Sequence, residues 1–120
     1  MMRWQIRADD REQFEKPGAA ARLLYIDAGA WAMEQVFNKR VELPSEWFIP
    51  ASLVREWGKK NAATALVRHG IWERAELDGA AGYIYAWIHF ENTPSYLAAK
   101  REKYRSDHRQ RIRRQAARSW

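Results

Sequence analysis

A wide apolar face at helical spacing predicts a first long helix over residues 19–37, with Asn38 suited to cap its C-terminal end. Upstream, residues 2–7 alternate loosely between apolar and polar and are expected to form a short edge strand. The charged segment 9–16 is expected to be a loop. The apolar positions of the long helix are Leu23, Leu24, Ile26, Ala28, Trp31, Ala32 and Val36.

Shorter elements are expected in the following part of the chain. Pro50 has the fixed φ that suits the first turn of a helix, and Gly58 and Gly70 are each placed to end one. The expected elements are a polar connection over 41–46, a brief strand over 47–49, a short second helix over 51–57 and a third helix over 60–69. The core side of the third helix is expected to consist of Ala63, Leu66 and Val67.

A β-hairpin and a long final helix complete the pattern. A β-prone run over 71–74 leads into a turn with Asp-Gly within residues 77–82, and the aromatic run 83–90 returns as the second strand. Thr93-Pro94 then provides an N-cap followed by proline at the first helical position. Residues 95–117 contain neither glycine nor proline and favour helix.

This order of elements predicts a winged helix-turn-helix, an α+β fold that is mainly helical. Two short helices joined by a tight glycine-containing turn form the helix-turn-helix, and the hairpin directly after them is the wing. In such proteins the second of these helices enters the major groove, and the wing lies against the neighbouring backbone or minor groove. Protein-interaction modules use the same arrangement, so the fold alone leaves both functions open.

The third helix carries side chains that suit DNA. Lys59 and Lys60 lie at the turn, where their charge can neutralise phosphates. Asn61, Thr64 and Arg68 fall at i, i+3 and i+7 on its outer face. Asparagine and arginine can pair bidentately with adenine and guanine edges. Two adjacent lysines are also common in solvated turns, which is the alternative interpretation of that pair.

The net charge of +6 is concentrated at one end of the chain. Residues 100–120 contain nine basic and two acidic side chains, whereas residues 1–99 contain 12 basic and 13 acidic ones. We therefore expect a winged-helix domain over residues 1–94 and a basic C-terminal helix over 95–120. Neutralising phosphates would release counterions and give this helix salt-dependent affinity for nucleic acid. A solvated tail and a partner's acidic surface are the alternatives.

A helical projection sorts the basic side chains of this segment into two sides. One side carries Lys100, Lys103, Arg111, Arg114 and Arg118. The other carries Arg101, Arg105, Arg109 and Arg113. Charge all round the helix argues against a simple amphipathic membrane anchor, which needs a continuous apolar face. The terminal Trp120 is a candidate contact for a neighbouring molecule or a second subunit.

The sequence offers little for catalysis. The absence of cysteine excludes disulfides, thiolate zinc sites and cysteine nucleophiles. His69, His89 and His108 fall on different elements, and the chain has no HExxH, phosphate-cradling glycine loop or paired-carboxylate motif. We expect a protein that is not an enzyme and that uses no metal or cofactor. No apolar run reaches the ~20 residues of a membrane span, and the start lacks a secretory signal, so a cytoplasmic protein is expected.

The aromatic run has two interpretations. Tyr83, Tyr85 and Trp87 alternate onto one face and are expected to pack in the core or against the wing. If they were exposed, they could instead stack on unpaired bases. His89 follows on the same face and is expected to be a hydrogen-bonded core or wing residue rather than a ligand.

Short motifs along residues 20–110 are similar to those of one protein group. These motifs are Phe48-Ile49-Pro50, Gly70-Ile71-Trp72-Glu73, Tyr83 to His89 after a glycine-containing turn, and Asn92-Thr93-Pro94-Ser95 before the basic helix. The chain resembles small winged-helix proteins of actinobacterial phages and prophages, similar to the N-terminal domains of phage replisome organisers and replication-initiation proteins. Phe90 stands where that group usually has an acidic residue, and no helicase-recruiting extension is expected. The resemblance implies a DNA-binding module.

These features lead to the hypothesis of a phage-type winged-helix DNA-binding protein. It would act in replication or in transcription or excision control, in the cytoplasm or nucleoid of a bacterial host. Its expected partners are double-stranded DNA, a second copy of the chain in a homodimer, and a host or phage replication protein, with no membrane. The competing hypothesis is a protein-interaction module that binds and inhibits or redirects a host protein.

Overall fold

The structure is a computed structural model that describes residues 4–37 and 42–118, with the side chains of 4–36 and 42–116. Helix makes up 58% of it and the strands form a small antiparallel sheet, which confirms the mainly helical α+β class. The α-helices are α1 (Asp10–Gln13), α2 (Ala19–Phe37), α3 (Ala51–Glu56), α4 (Lys60–Arg68) and α5 (Pro94–Arg118). The strands are β1 (Phe48–Pro50), β2 (Trp72–Leu77) and β3 (Ala80–Tyr85), and a 3-10 turn covers Phe90–Asn92.

Helix α2 is the scaffold of the core, and its extent confirms the long helix that the apolar pattern predicts. Leu24, Ala28 and Ala32 recur at four-residue spacing, so they lie along one side of α2, and all three are fully buried. The elements that pack against α2 are α4, β1 and α5. Helix α2 therefore contacts three other elements of the fold. Asn38, the expected cap, lies outside the described residues.

The sheet has β3 in the middle, with β1 and β2 paired antiparallel on either side of it. Ile49 of β1 is the register partner of Tyr83, and Trp72 of β2 is the partner of Tyr85. All four side chains are buried, because residues that face each other across an antiparallel pair point to the same side of the sheet. The brief strand expected over 47–49 is confirmed with a shift of one residue.

The turn between β2 and β3 is a tight one. Leu77 pairs with Ala80, so the turn consists of Asp78 and Gly79 alone, which confirms the hairpin expected from the Asp-Gly signal within residues 77–82. Asp78 adopts a φ of 51°. Positive φ at both central residues is what a two-residue type I′ turn requires, and Asp-Gly is a preferred sequence for it.

The expected continuation of the aromatic strand to residue 90 is wrong. β3 ends at Tyr85, and the next two N–H groups, of Ala86 and Trp87, both donate to the carbonyl of Ile71 at 2.9 and 3.0 Å. Two consecutive donors on one acceptor cannot continue a strand, in which neighbouring N–H groups point to opposite sides. The chain therefore leaves the sheet at this point and enters the 3-10 turn.

The N-terminal segment crosses the core without forming the expected edge strand. Residues 4–7 have no strand pairing, and positions 2 and 3 lie outside the described part of the chain. The Trp4 ring packs against Tyr85 with a centroid distance of 5.0 Å. The Asn92 side chain replaces a strand partner, because its Oδ1 accepts from the Gln5 N–H at 2.6 Å and its Nδ2 donates to the Gln5 carbonyl at 3.0 Å.

The segment expected to be a loop over residues 9–16 contains the one-turn helix α1, so that expectation is wrong for residues 10–13. Asp10 is buried and its carboxylate accepts from the Arg7 N–H at 2.8 Å. The same carboxylate lies 2.8 Å from Nε2 of His89. Phe14, directly after α1, is buried as well. Two side chains thus anchor a segment whose other residues are polar or charged and exposed.

Helix α5 begins where the Thr93-Pro94 pair predicts. The N–H of Leu97 donates to the Thr93 carbonyl at 3.1 Å, and the Leu97 side chain is buried. The Arg101 guanidinium donates to the carbonyl of Val36 in the last turn of α2 at 3.2 Å. The 25 residues of α5 correspond to ~37 Å of helix, in a molecule that is 62 Å long. Within residues 4–37 and 42–118, no helix combines the length and apolarity that a bilayer crossing requires.

Candidate nucleic-acid interface

Helices α3 and α4 are joined by a tight turn around Gly58. Gly58 has a φ of 70°, a conformation that strains other residues, and its N–H donates to the Arg55 carbonyl at 3.0 Å. Beneath the turn, Val54, Ala63 and Leu66 are buried. This packing holds α4 by one side and leaves its other side in solvent.

The outer face of α4 carries the polar side chains that the spacing predicts. Asn61 and Arg68 are exposed and lie seven residues apart, which places them on the same side of the helix. Thr64 lies between them and is half-buried, and its Oγ1 donates to the Lys60 carbonyl at 3.1 Å. In the described part of the chain, Arg68 forms no ion pair. An amide and a guanidinium are therefore presented together with unused donors.

The turn before α4 carries a third basic side chain in addition to the two predicted lysines. Lys60 is exposed and Lys59 is half-buried. Arg55 in the last turn of α3 is exposed as well, next to the exposed Glu56. Arg55 is not among the residues predicted from the sequence, although a basic residue three positions before the turn glycine is a signal that could have identified it.

The two sides of α5 differ in how their charges are used. The Glu102 carboxylate lies 3.1 Å from the Arg109 guanidinium and 3.8 Å from the Arg105 guanidinium. The Arg101 guanidinium donates to the carbonyl of Val36 in the last turn of α2. We call Arg101, Arg105 and Arg109 the bridged row. Arg113 is exposed on the same side of the helix.

The other side of α5 is not neutralised within the chain. We call Lys100, Lys103, Arg111 and Arg114 the open row. Among residues 42–116, no carboxylate lies within ion-pair distance of these four side chains. Lys103, Arg111 and Arg114 are exposed, and Lys100 is half-buried. The side chain of Arg118, expected to belong to this row, lies outside the described residues. The open row can therefore meet an external anion without first breaking a salt bridge.

The two basic groups are fixed on one scaffold. The structure brings Lys59, Lys60, Asn61, Thr64 and Arg68 together at the start and outer face of α4. The open row forms a separate group on α5. Both α4 and α5 pack against α2, so the position of each group depends on the same helix.

The hairpin has the opposite charge. Glu73, Glu76 and Asp78 are exposed along β2 and at the turn, against a single exposed guanidinium, that of Arg74. Leu77 at the end of β2 is 51% exposed. Such a surface repels phosphates rather than attracting them.

The expectation that the aromatic run packs in the core is confirmed. Tyr83 and Tyr85 are buried, and Trp87 packs against the same cluster. Burial raises the pKa of the Tyr85 phenol well above its ordinary value, and burial together with the nearby Asp10 carboxylate raises the pKa of Tyr25. None of the three aromatic residues in this run is exposed enough to serve as a stacking platform.

His89 is hydrogen-bonded, as expected. Its Nε2 lies 2.8 and 3.0 Å from the two carboxylate oxygens of Asp10. Within the described ranges, no group of three or more His, Cys, Asp or Glu side chains is arranged to hold a metal ion. Trp120 lies outside these ranges, so its expected contact is not described.

Comparisons of this chain with known protein-family models, with curated proteins and with solved structures find no match.

Proposed function

We propose that this chain is a winged-helix DNA-binding protein of phage type that places α4 in the major groove of duplex DNA. The order of α2, β1, α3, α4 and the β2–β3 hairpin is the order that a winged helix requires. The observation that carries the proposal is the pair of Asn61 and Arg68, exposed on one side of a helix whose other side is held by the core. The Asn61 amide, with one donor and one acceptor side, matches the edge of adenine, and the donors of Arg68 match the edge of guanine.

The phosphate contacts of this proposal come from the turn and from α5. Arg55 and Lys60 are exposed beside the start of α4. The open row adds Lys100, Lys103, Arg111 and Arg114, with Arg118 following on the same side by sequence. Such contacts position a protein on DNA without selecting a sequence, and they make the affinity depend steeply on salt.

The hairpin is left out of the proposed phosphate contacts. Its three carboxylates outnumber its one exposed guanidinium, so approach to the DNA backbone would be electrostatically unfavourable. This refines the expectation that the wing grips the backbone.

The biological setting of the proposal rests on the resemblance of the sequence motifs to phage and prophage proteins. It comprises replication or transcription and excision control in the host cytoplasm or nucleoid. A homodimer would place two copies of α4 on a palindromic site.

The test is a fluorescence anisotropy titration of random-sequence duplex at several salt concentrations, followed by selection of bound sequences from a random pool. We expect a steep salt dependence and enrichment of a motif. Arg68→Ala should weaken binding to that motif by about tenfold, within the ~1–3 kcal/mol of a bidentate base contact. Arg11→Ala removes the same charge from an exposed position on α1 and serves as the matched control. Absence of duplex binding at low salt contradicts the proposal.

A protein-interaction module is the second candidate, and the hairpin favours it. Leu77 is exposed between Glu76 and Asp78, a combination of apolar and acidic groups that suits a partner with a basic surface. The discriminating experiment is capture from a nuclease-treated host lysate at high salt. A partner that is lost on Leu77→Ala and Glu76→Lys, and retained by Arg68→Ala, would support this candidate over DNA binding.

A further inference from the structure

Exposed aromatic rings and lysines lie together at the base of α5. The Phe90 ring, in the 3-10 turn before α5, lies 5.1 Å from the Tyr96 ring between centroids. Nζ of Lys100 lies 5.8 Å from the centroid of Tyr96 and 5.9 Å from that of Tyr104. With Lys103 these residues form what we call the aromatic–lysine patch: Phe90, Tyr96, Lys100, Lys103 and Tyr104. A shallow pocket of about 350 Å³ opens between Tyr96, Ala99, Lys100, Lys103 and Tyr104.

Two of the three rings of this patch, those of Phe90 and Tyr104, are exposed, whereas Tyr96 is half-buried and packs against the core. Phe90 is 68% exposed and Tyr104 is 46% exposed. Tyr83 and Tyr85, a few positions earlier, are both buried. Some aromatic side chains of this region therefore pack in the core, and others are exposed to solvent. Phe90 also follows directly after His89, which is fixed by Asp10, so the backbone that carries the ring is anchored.

The charge of the patch is positive and available. Lys103 is exposed and forms no ion pair with a carboxylate of the described residues, and Lys100 contacts rings rather than an acid. Glu102, the acidic neighbour on the same helix, is engaged by Arg105 and Arg109 on another side. The patch therefore combines flat apolar faces with unneutralised ammonium groups.

We propose that the aromatic–lysine patch binds an unpaired strand of nucleic acid. Bases stack on the rings of Phe90 and Tyr104, and Lys100 and Lys103 neutralise the adjoining phosphates. Every base has a π-face, so this mode of binding tolerates any sequence. An acidic protein segment would satisfy the lysines but would leave the two exposed rings without a flat partner, which is why the unpaired strand is the occupant that the patch fits. The site is separate from the α4 contact proposed above, but it overlaps the proposed phosphate contacts of α5, because Lys100 and Lys103 also belong to the open row.

The experiment compares two fluorescent single strands on the whole chain at one salt concentration. One strand is oligothymidylate of about 12 nucleotides, within the range of single-strand sites. The other is an abasic strand of the same length and charge. We expect oligothymidylate to bind about tenfold or more tightly than the abasic strand, since each stacked base contributes to the affinity. Equal affinities would overturn the proposal, because they would show that only charge is recognised.

Substitutions at the exposed rings locate the effect. Phe90→Ala and Tyr104→Ala should each weaken oligothymidylate binding by about tenfold and leave abasic-strand binding unchanged. Tyr104→Phe keeps the ring and should keep the affinity. Ile112→Ala, on the same helix and 52% exposed, removes an apolar side chain away from the patch and should have no effect. Far-ultraviolet circular dichroism verifies that each variant is folded.

Two further results would contradict the assignment. The first is an unchanged affinity of the Phe90→Ala, Tyr104→Ala double variant for oligothymidylate. The second is competition by polyglutamate of equal charge that matches competition by oligothymidylate, which would assign the patch to an acidic protein partner. Duplex binding is measured in parallel on the same double variant. It should be retained, because both substitutions keep the net charge, so that failure of this inference is separable from failure of the proposed function.

Discussion

Asp10 and His89 form a buried side-chain pair that joins the N-terminal segment to the chain after the hairpin. The two residues are 79 positions apart, and Nε2 of His89 lies 2.8 and 3.0 Å from the two carboxylate oxygens. Asp10 is 4% exposed and His89 is 13% exposed. The Arg7 N–H donates to the same carboxylate at 2.8 Å. Removal of the Asp10 side chain would therefore leave both His89 and the Arg7 N–H without this acceptor, and removal of the His89 side chain would leave the buried carboxylate with one fewer hydrogen bond.

We expect Asp10→Ala and His89→Ala each to lower the free energy of unfolding by about 2–4 kcal/mol, the range for breaking a buried hydrogen-bonded pair. Urea denaturation followed by circular dichroism measures this change. Glu91→Gln is the control, because the Arg7–Glu91 ion pair joins the same two segments through exposed side chains. The midpoint of that variant should stay close to that of the parent chain. Equal effects of all three substitutions would contradict the assigned role of the buried pair.

Gly29 on α2 is predicted to be intolerant of even a methyl group. A Cβ built at Gly29 would lie 2.3 Å from the Trp4 ring, so Gly29→Ala must displace the indole. We expect a loss of about 1–3 kcal/mol in unfolding free energy, typical of overpacking, with a shift of tryptophan emission.

The double variant Gly29→Ala, Trp4→Ala separates this clash from other effects. Without the indole, alanine should be neutral or stabilising by up to ~1 kcal/mol relative to glycine, because it is the better helix former. If Gly29→Ala lowers the free energy of unfolding as much in the Trp4→Ala variant as in the parent chain, the clash with the indole is not the cause.

The buried tyrosines predict a loss of stability in alkali. Burial raises the folded-state pKa values of Tyr25 and Tyr85 above the ordinary value of 10.0, while the unfolded chain ionises near that value. Above about pH 10 the unfolded state therefore binds fewer protons than the folded state, and stability falls until the pH reaches the raised values. Below about pH 10 both states keep these phenol protons, so the two tyrosines cause no loss of unfolding free energy there.

Urea denaturation at about pH 9 and about pH 11 tests this prediction, with phenolate absorbance followed in parallel. The double variant Tyr25→Phe, Tyr85→Phe has no phenol to ionise at either position and should lose less stability between the two pH values than the parent chain does. A decrease of the same size in both proteins would assign the alkaline effect to other groups.

The open and bridged rows of α5 are predicted to contribute unequally to duplex binding. Arg111→Gln, Arg114→Gln should reduce the slope of log affinity against log salt by about 1.8, because each lost phosphate contact removes about 0.9. The double variant Arg105→Gln, Arg109→Gln loses the same charge from side chains that already pair with Glu102. It should reduce the slope by less than half as much as the Arg111→Gln, Arg114→Gln double variant does. Equal reductions would show that only the net charge of α5 matters.

Local signals in the sequence were sufficient to predict most elements of the fold. The apolar period predicted α2, Pro50 and Gly58 bracketed α3, and Thr93-Pro94 marked the start of α5. These signals act between residues close in the chain, so they do not depend on tertiary packing. On α4 the apolar period was less accurate for Val67, which was expected on the core side of the helix and is half-buried.

Two of the incorrect expectations, the N-terminal strand and the loop over residues 9–16, involve contacts over long sequence separation. The alternation near the N-terminus suggested a strand, but the partner of Gln5 is the side chain of Asn92. Asp10, the first residue of the one-turn helix α1, contacts His89, which is 79 positions away in the chain. Neither contact leaves a periodic pattern in the sequence.

The candidate interface could be predicted in part. The spacing of Asn61 and Arg68 placed both on the outer face of α4, where the structure has them. The helical projection of α5 separated its two sides, but it could not show which guanidinium groups Glu102 would engage. The exposure of Phe90 was not predicted either, since an aromatic run favours burial and the turn that carries this ring outward follows the end of β3.

The hydrogen bond from Thr64 to the Lys60 carbonyl has a consequence for what α4 can recognise. A hydroxyl has one hydrogen, and in Thr64 the helix backbone already uses it at 3.1 Å. Toward any molecule outside the helix, Thr64 is therefore an acceptor with no donor to offer. In the major groove of the proposed complex it would favour the exocyclic amines of adenine or cytosine over the carbonyl oxygens of guanine or thymine.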